Sequence, residues 1–172
     1  MTRAILLHHI NVQITDRDRT REWYCRVLGA TVLDRGPALN KRQLQLNIGQ
    51  AEVHFSDVKR IVEPNPRVHF ALEIKDWDEM LAHLDAEGIE YTRDARGSFS
   101  RSGTGDDPRF ARREDSSEYY TYVHDPDGNL IELVHHPLGL VDMRGNAVSP
   151  VTEPDGLRWR QLPEVEQALG KA

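Results

Sequence analysis

The chain has 172 residues, 38% hydrophobic and 29% charged, with a formal net charge of −6 and a pI near 5.7. That length suits one domain or two small modules around a shared core, and the acidic balance gives no support to a nucleic-acid or anionic-membrane partner. Cys25 is the single cysteine, which excludes an internal disulfide and fits a reducing, cytoplasmic setting. The apolar run Ala4–Leu7 is too short for a signal peptide or a spanning helix.

In chain order, Ile5–Ile14 reads as a strand, because Ile10, Val12 and Ile14 alternate with Asn11 and Gln13. Asp16 or Asp18 can cap the helix that follows. Trp23, Tyr24, Val27 and Leu28 give that helix one apolar face, and Gly29 stops it. Thr31–Leu33, Gln43–Ile48 and Ala51–Phe55 are predicted strands, separated by Gly36-Pro37 and Gly49-Gln50. After the linker Glu63–Pro66 the pattern starts again. His69-Phe-Ala-Leu-Glu-Ile-Lys-Asp76 lies over His9-Ile-Asn-Val-Gln-Ile-Thr-Asp16 at an offset of 60 residues. Trp77, Met80, Leu81 and Leu84 form a second amphipathic helix, with Asp76 and Glu79 as a capping box and Gly88 as its stop. Glu90–Thr92, Tyr119–His124 and Leu130–His135 complete the second set of strands, the last two joined by the turn Asp125-Pro-Asp-Gly128.

The chain is therefore an internal repeat of strand–helix–strand–strand–strand, and each unit alone leaves an apolar face open. The expected fold class is α+β: two βαβββ modules, 1–62 and 63–136, with sheets paired around a groove and helices outside. Two segments fall outside the repeat. Residues 94–117 form a long loop rich in Gly, Ser, Asp and Arg, either a functional lid or a disordered segment. Residues 137–172 form a tail, with a short helix expected over Pro163–Leu169 and Trp159 anchoring it to the body.

Chemistry concentrates on a few residues. His9 and His69 begin equivalent strands, and Glu132 interrupts the apolar run Leu130–Val134. A buried carboxylate is costly unless paired or bound to a metal. Two imidazoles and one carboxylate suit a divalent first-row ion, Fe(II) above Mn, Ni, Co or Zn when coordination positions stay open. His54 is the counterpart of Glu132 in the first repeat. Arg109, Arg112 and Arg113 could grip a substrate carboxylate, or belong to a solvated charged loop. His8, His83, His124, His135 and His136 read as surface or supporting residues, and Cys25 as a packed thiol.

On His9…Asp16…Tyr24…Leu28-Gly29, His69-Phe-Ala-Leu and Asp125-Pro-Asp-Gly-Asn-Leu-Ile-Glu132, residues 5–136 resemble the vicinal oxygen chelate superfamily. That superfamily comprises glyoxalases, fosfomycin- and bleomycin-resistance proteins, methylmalonyl-CoA epimerases and extradiol dioxygenases. The resemblance implies paired βαβββ modules, metal ligands at His9, His69 and Glu132, and a homodimer. Within it, His54 and Tyr122 resemble the acid–base histidine and the tyrosine of type I extradiol dioxygenases, Tyr122 standing ten residues before Glu132. The fingerprint's upstream histidine is absent, with Arg113 or its neighbours roughly in its place, and the chain lacks the additional pair of modules that many such enzymes carry. The implied activity is ring cleavage of a catechol by O₂. Two alternatives stand beside it. One is a glyoxalase-type lyase, isomerase, epimerase or thiol transferase with His54 as a fourth ligand. The other is a protein that sequesters a small molecule without turnover.

Overall fold

The structure is a computed structural model and describes residues 8–62, 68–94, 103–104, 107–113, 117–141 and 144–152. The chain divides into two compact units, 1–65 with 124–129, and 66–123 with 130–172. It is an α+β protein. No helix among the described residues is long and apolar enough to cross a membrane.

In the first unit, strand β1 (His9–Ile14) leads into helix α1 (Arg17–Leu28). Asp16 is extended, and its carboxylate accepts the Asp18 and Arg19 amides at 2.9 and 3.1 Å, filling donors that a helix start leaves open. Gly29 ends the helix at φ 65°, a left-handed conformation that glycine adopts without a Cβ clash. Strands β2 (Thr31–Val32), β3 (Leu44–Ile48) and β4 (Ala51–Asp57) follow. The sheet order is β1-β4-β3-β2, with β1 and β4 parallel. Parallel neighbours need a crossover, and the chain between β1 and β4 provides it.

Strand alternation sorts this sheet into two faces. Val12, Ile14, Val53 and Phe55 are buried, and Tyr24 of α1 meets Phe55 edge-on at 4.8 Å. Each such side chain contributes roughly 2–3 kcal/mol by leaving water. The opposite face carries His9, Asn11 and Gln13 of β1, Glu52, His54 and Ser56 of β4, and Gln45 and Asn47 of β3.

The sequence places a strand from residue 5, whereas β1 begins at His9 and residues 1–7 lie outside the described part. Between β2 and β3 the chain makes one helical turn, α2 (Pro37–Asn40), where only a break was expected. Asp34 nucleates it, accepting from the Gly36 amide and the Asn40 side chain at 2.8 and 2.7 Å.

The turn Asp125–Asn129 belongs to the first unit and is tied to α1. Asp125 Oδ1 accepts the Asp127 and Asn129 amides, and Oδ2 accepts the Asn129 side chain and the Tyr24 hydroxyl, all within 3.1 Å. Burial pushes the Asp125 carboxyl up, while these four bonds pull it down. Asp127 accepts from Thr15 and Arg19. Asp125→Ala removes every one of those acceptors and leaves the Tyr24 hydroxyl buried without them. A loss of about 3 kcal/mol is expected. Equilibrium urea unfolding measures it, and a midpoint unchanged from wild type would refute the turn's structural role.

The second unit repeats the plan. Strand β5 (Phe70–Glu73), helix α3 (Trp77–Ala86) and strand β6 (Tyr91–Thr92) are followed by β7 (Gly103–Thr104), β8 (Ala111–Arg113), β9 (Tyr119–His124) and β10 (Leu130–His135). Asp76 caps α3 through the Glu79 amide at 3.0 Å. β5 runs parallel to β10, as β1 does to β4. The sheet order is β5-β10-β9-β8-β7, with β6 also on β9. β6 pairs with Tyr122 and Val123, and β8 with Tyr119 and Tyr120, so the two share one edge of β9 end to end.

β7 and β8 correct the reading of residues 94–117 as one loop, for the described part of that segment. Ala-Arg-Arg carries no apolar alternation. It holds its place because Arg112 lies over the Tyr119 ring at 5.2 Å and Arg113 over Tyr120 at 4.6 Å.

The tail begins with a hairpin, β11 (Leu138–Val141) and β12 (Ala147–Val151), which the sequence reading missed. His135 at the end of β10 contacts Thr152 Oγ1 at 3.0 Å. The helix expected over Pro163–Leu169, and Trp159, lie outside the described residues.

Candidate functional site

Each unit gathers polar side chains on the sheet face turned from its helix. In the first unit His54 is buried, and its ring stacks on His9 at 4.0 Å with planes 15° apart. The parallel register pairs His9 with Glu52 and Asn11 with His54, which brings the two imidazoles together. His54 Nε2 meets Glu52 Oε2 at 3.0 Å, and Arg35 approaches the same oxygen at 3.5 Å. The hydrogen bond from His54 is the main cause holding the Glu52 carboxyl below the usual range. A carboxylate on one ring nitrogen fixes an imidazole's orientation and tautomer. His8 Nδ1 lies 3.0 Å from His9 Nδ1.

In the second unit Glu132 is 6% exposed. Its Oε1 accepts from Tyr122 Oη and from Arg113 Nη2, both at 3.0 Å. Its Oε2 lies 3.0 Å from His69 Nε2. These three partners answer the cost of burying a carboxylate. The Tyr122 ring stands edge-on to His69 at 5.7 Å. Burial, with the charge of Glu132 behind it, pushes the Tyr122 phenol well above its ordinary value. It is therefore a protonated donor that orients Glu132, a role the sequence reading did not assign.

His69 and Glu132 fit one divalent ion. Two adjacent donors on an octahedral ion with bonds of about 2.1 Å stand about 3.0 Å apart, and these two are 3.0 Å apart, a spacing that equally suits a hydrogen bond. Among the described residues no group of three or more His, Cys, Asp or Glu side chains is gathered to hold a metal ion. His9 belongs to the first unit, and the structure brings it to His54.

The three arginines do not converge. Alternation along β8 sends Arg113 to Glu132 and Arg112 to Tyr119 on the other face. Arg109, just before β8, is held by Asp107 through Nε and Nη2, and by Tyr91 through Nη1. Of the three, Arg113 is the arginine at Glu132.

The sequence reading also missed Glu118, Glu73 and the placement of His136. Glu118, 8% exposed, faces Arg113 Nη1 with one oxygen. Its other oxygen lies 3.2 Å from His136 Nε2. His136 Nδ1 meets Glu73 at 2.7 Å. Glu118 ends the connection from β8, where Arg113 N donates to Glu118 O at 2.8 Å, and Ser117 before it adopts φ 58°. Charged residues in a stretch of mixed charge give no sequence signal for this.

Two βαβββ units, each with a parallel β-pair and with histidine and carboxylate opposite its helix, define an α+β protein built on a repeated module. The family model of the Glyoxalase/Bleomycin resistance protein/Dioxygenase superfamily matches residues 6–133, and the chain belongs to that superfamily. Solved structures share the fold. A glyoxalase family protein from Bacillus anthracis is 24% identical, with a TM-score of 0.56 over 78% of this chain and 99% of its own. The fosfomycin resistance protein FosX from Listeria monocytogenes is 17% identical, with a TM-score of 0.56 over 77% of this chain and 93% of its own. FosX from Mesorhizobium loti is 18% identical, with a TM-score of 0.53 over 78% and 93%. A search of the curated proteins returns no significant match.

Proposed function

We propose that this protein is a non-heme Fe(II)-dependent extradiol dioxygenase acting on a catechol, with or without a carboxylate on the ring. Mn, Ni, Co and Zn are the other ions its donor types accept. His69 and Glu132 are the ligands from the second unit, and the family resemblance assigns the third to His9. The bound ion supplies the orientation and charge transfer that bring the catechol oxygens and O₂ to reaction.

The observation that carries this reading is the stacking of His54 on His9. The two rings lie face to face, centroids 4.0 Å and planes 15° apart, so their in-plane lone pairs run side by side rather than toward one ion. That speaks for His54 as an acid–base residue beside a ligand, and against a fourth ligand of the glyoxalase kind. Glu52 orients its Nε2, and an imidazole so held can both take and give a proton. Tyr122 keeps Glu132 in its ligating orientation.

Oxygen uptake tests this directly. Protein reconstituted anaerobically with Fe(II) is expected to consume O₂ with one or more catechols and form a coloured ring-opened product in equal amount. Iron-loaded protein that takes up no O₂ with any catechol would instead support the lyase, isomerase, epimerase or thiol-transferase reading. Thiol adducts and acyl thioesters with Ni(II), Mn(II) or Zn(II) then test that alternative. Tight binding of a small molecule with no turnover under any ion would point to sequestration. A homodimer is part of the proposal, and sedimentation equilibrium measures it.

A further inference from the structure

We propose that Glu118, braced by His136 and Glu73, is a positioning residue that keeps the charge of Arg113 from cancelling that of Glu132. The inference rests on the metal reading above. Arg113 is divided between two carboxylates. Nη2 donates to Glu132 Oε1 at 3.0 Å, Nη1 faces Glu118, and the guanidinium lies over the Tyr120 ring at 4.6 Å. The fork and the ring beneath it leave the guanidinium one orientation. Both carboxylates are buried, while the Arg113 side chain is 32% exposed.

Charge decides what Glu118 does. Arg113 with Glu132 alone is a neutral pair, and a neutral pair offers a divalent cation little attraction. With Glu118 ionised, the trio carries one net negative charge, and Glu132 retains the charge a ligand needs. The brace behind Glu118 is direct: His136 sets one ring nitrogen on Glu118 at 3.2 Å and the other on Glu73 at 2.7 Å. The His136 amide also donates to Glu73, at 3.0 Å. Glu118 is thereby held on Arg113 from behind, without touching His69 or Glu132 in any contact described for the site.

The test is a double-mutant cycle on metal affinity with E118Q, R113Q and the double variant. Fe(II) under anaerobic conditions, Mn(II) and Zn(II) are titrated against a chromophoric chelator. E118Q preserves shape and removes charge. It is expected to weaken each ion about tenfold, the range typical of residues that support a ligand. In the R113Q background the same substitution is expected to change affinity less than about twofold, because no guanidinium charge remains for Glu118 to balance. A second readout needs no metal. In the arginine side-chain NMR spectrum of the apoprotein, the Arg113 Nη groups should show hindered rotation that E118Q releases. Wild-type affinity in E118Q, or an equal loss in both backgrounds, overturns the inference and leaves the metal reading standing. Wild-type protein that binds none of the three ions overturns the metal reading, and this inference with it. Thermal melts of all four proteins separate either result from misfolding.

Discussion

Glu132→Ala is expected to abolish tight metal binding and to destabilise the second unit as well. Glu132 is the one carboxylate on the face of β10 that meets His69, and its Oε2 is one of two donors spaced for a common ion. Without it His69 remains as a single imidazole, and affinity should fall more than about 100-fold, beyond the loss typical of supporting residues. Stability falls for a separate reason. Tyr122 and Arg113 share Oε1 as an acceptor, and its removal leaves the buried end of the guanidinium without that counter-charge. Arg113 keeps Glu118 and some water, so the cost is mainly that of the buried Tyr122 hydroxyl left without its acceptor, about 1–3 kcal/mol. Glu132→Gln separates the two effects, since it keeps volume and an acceptor oxygen while losing charge. Metal content after reconstitution, measured beside urea unfolding, should show both variants metal-poor and only the alanine variant strongly destabilised. A full equivalent of metal in Glu132→Ala would remove Glu132 from the ligand set.

Much of this arrangement is legible in the chain itself, for physical reasons that also mark where legibility stops. Asp16 and Asp76 precede apolar helical faces and do cap helices, because a short acceptor before a helix has one dominant use. Leu130–His135 is buried along its whole length, so its apolar run reads as a strand and Glu132 stands out within it. β8 is illegible because its two arginines are held by stacking on tyrosines of the next strand, and no periodicity encodes a cross-strand cation–π contact. The partition of Arg109, Arg112 and Arg113 follows from the same strand, since alternation can be applied only once a strand is known. Glu118 and His136 are placed by long-range pairing of β5, β9 and β10, and a local reading leaves them as ordinary charged residues. The spacing of the repeat identifies His9 and His69 as equivalent. It does not distinguish their surroundings: the structure gives His9 a histidine neighbour on β4 and His69 a carboxylate on β10.

That asymmetry makes His54→Phe the sharpest test of the proposed chemistry. Glu132 and His54 occupy corresponding strands of the two units, yet one is paired with a histidine edge and the other lies flat on a histidine face. Phenylalanine keeps the flat contact with His9 and the burial of the position, so the fold and metal content should stay close to wild type. What disappears is the proton-carrying nitrogen and its anchor on Glu52. If His54 transfers protons, turnover should fall by about 10²–10⁴, the usual contribution of a positioned acid–base group. The loss should appear in kcat, with KM for the catechol little changed, because the group acts in the reaction rather than in binding. If His54 is instead a fourth ligand, the same variant should lose metal roughly in step with activity. Iron content and single-turnover rate measured on one preparation discriminate the two. Release of Glu52 supplies a control without metal: its carboxyl, now held low chiefly by the hydrogen bond from His54, should move back up toward the ordinary carboxylate range in His54→Phe. A Glu52 titration unmoved by the substitution would mean that the His54–Glu52 contact does not orient the ring, and the acid–base assignment would lose its structural support.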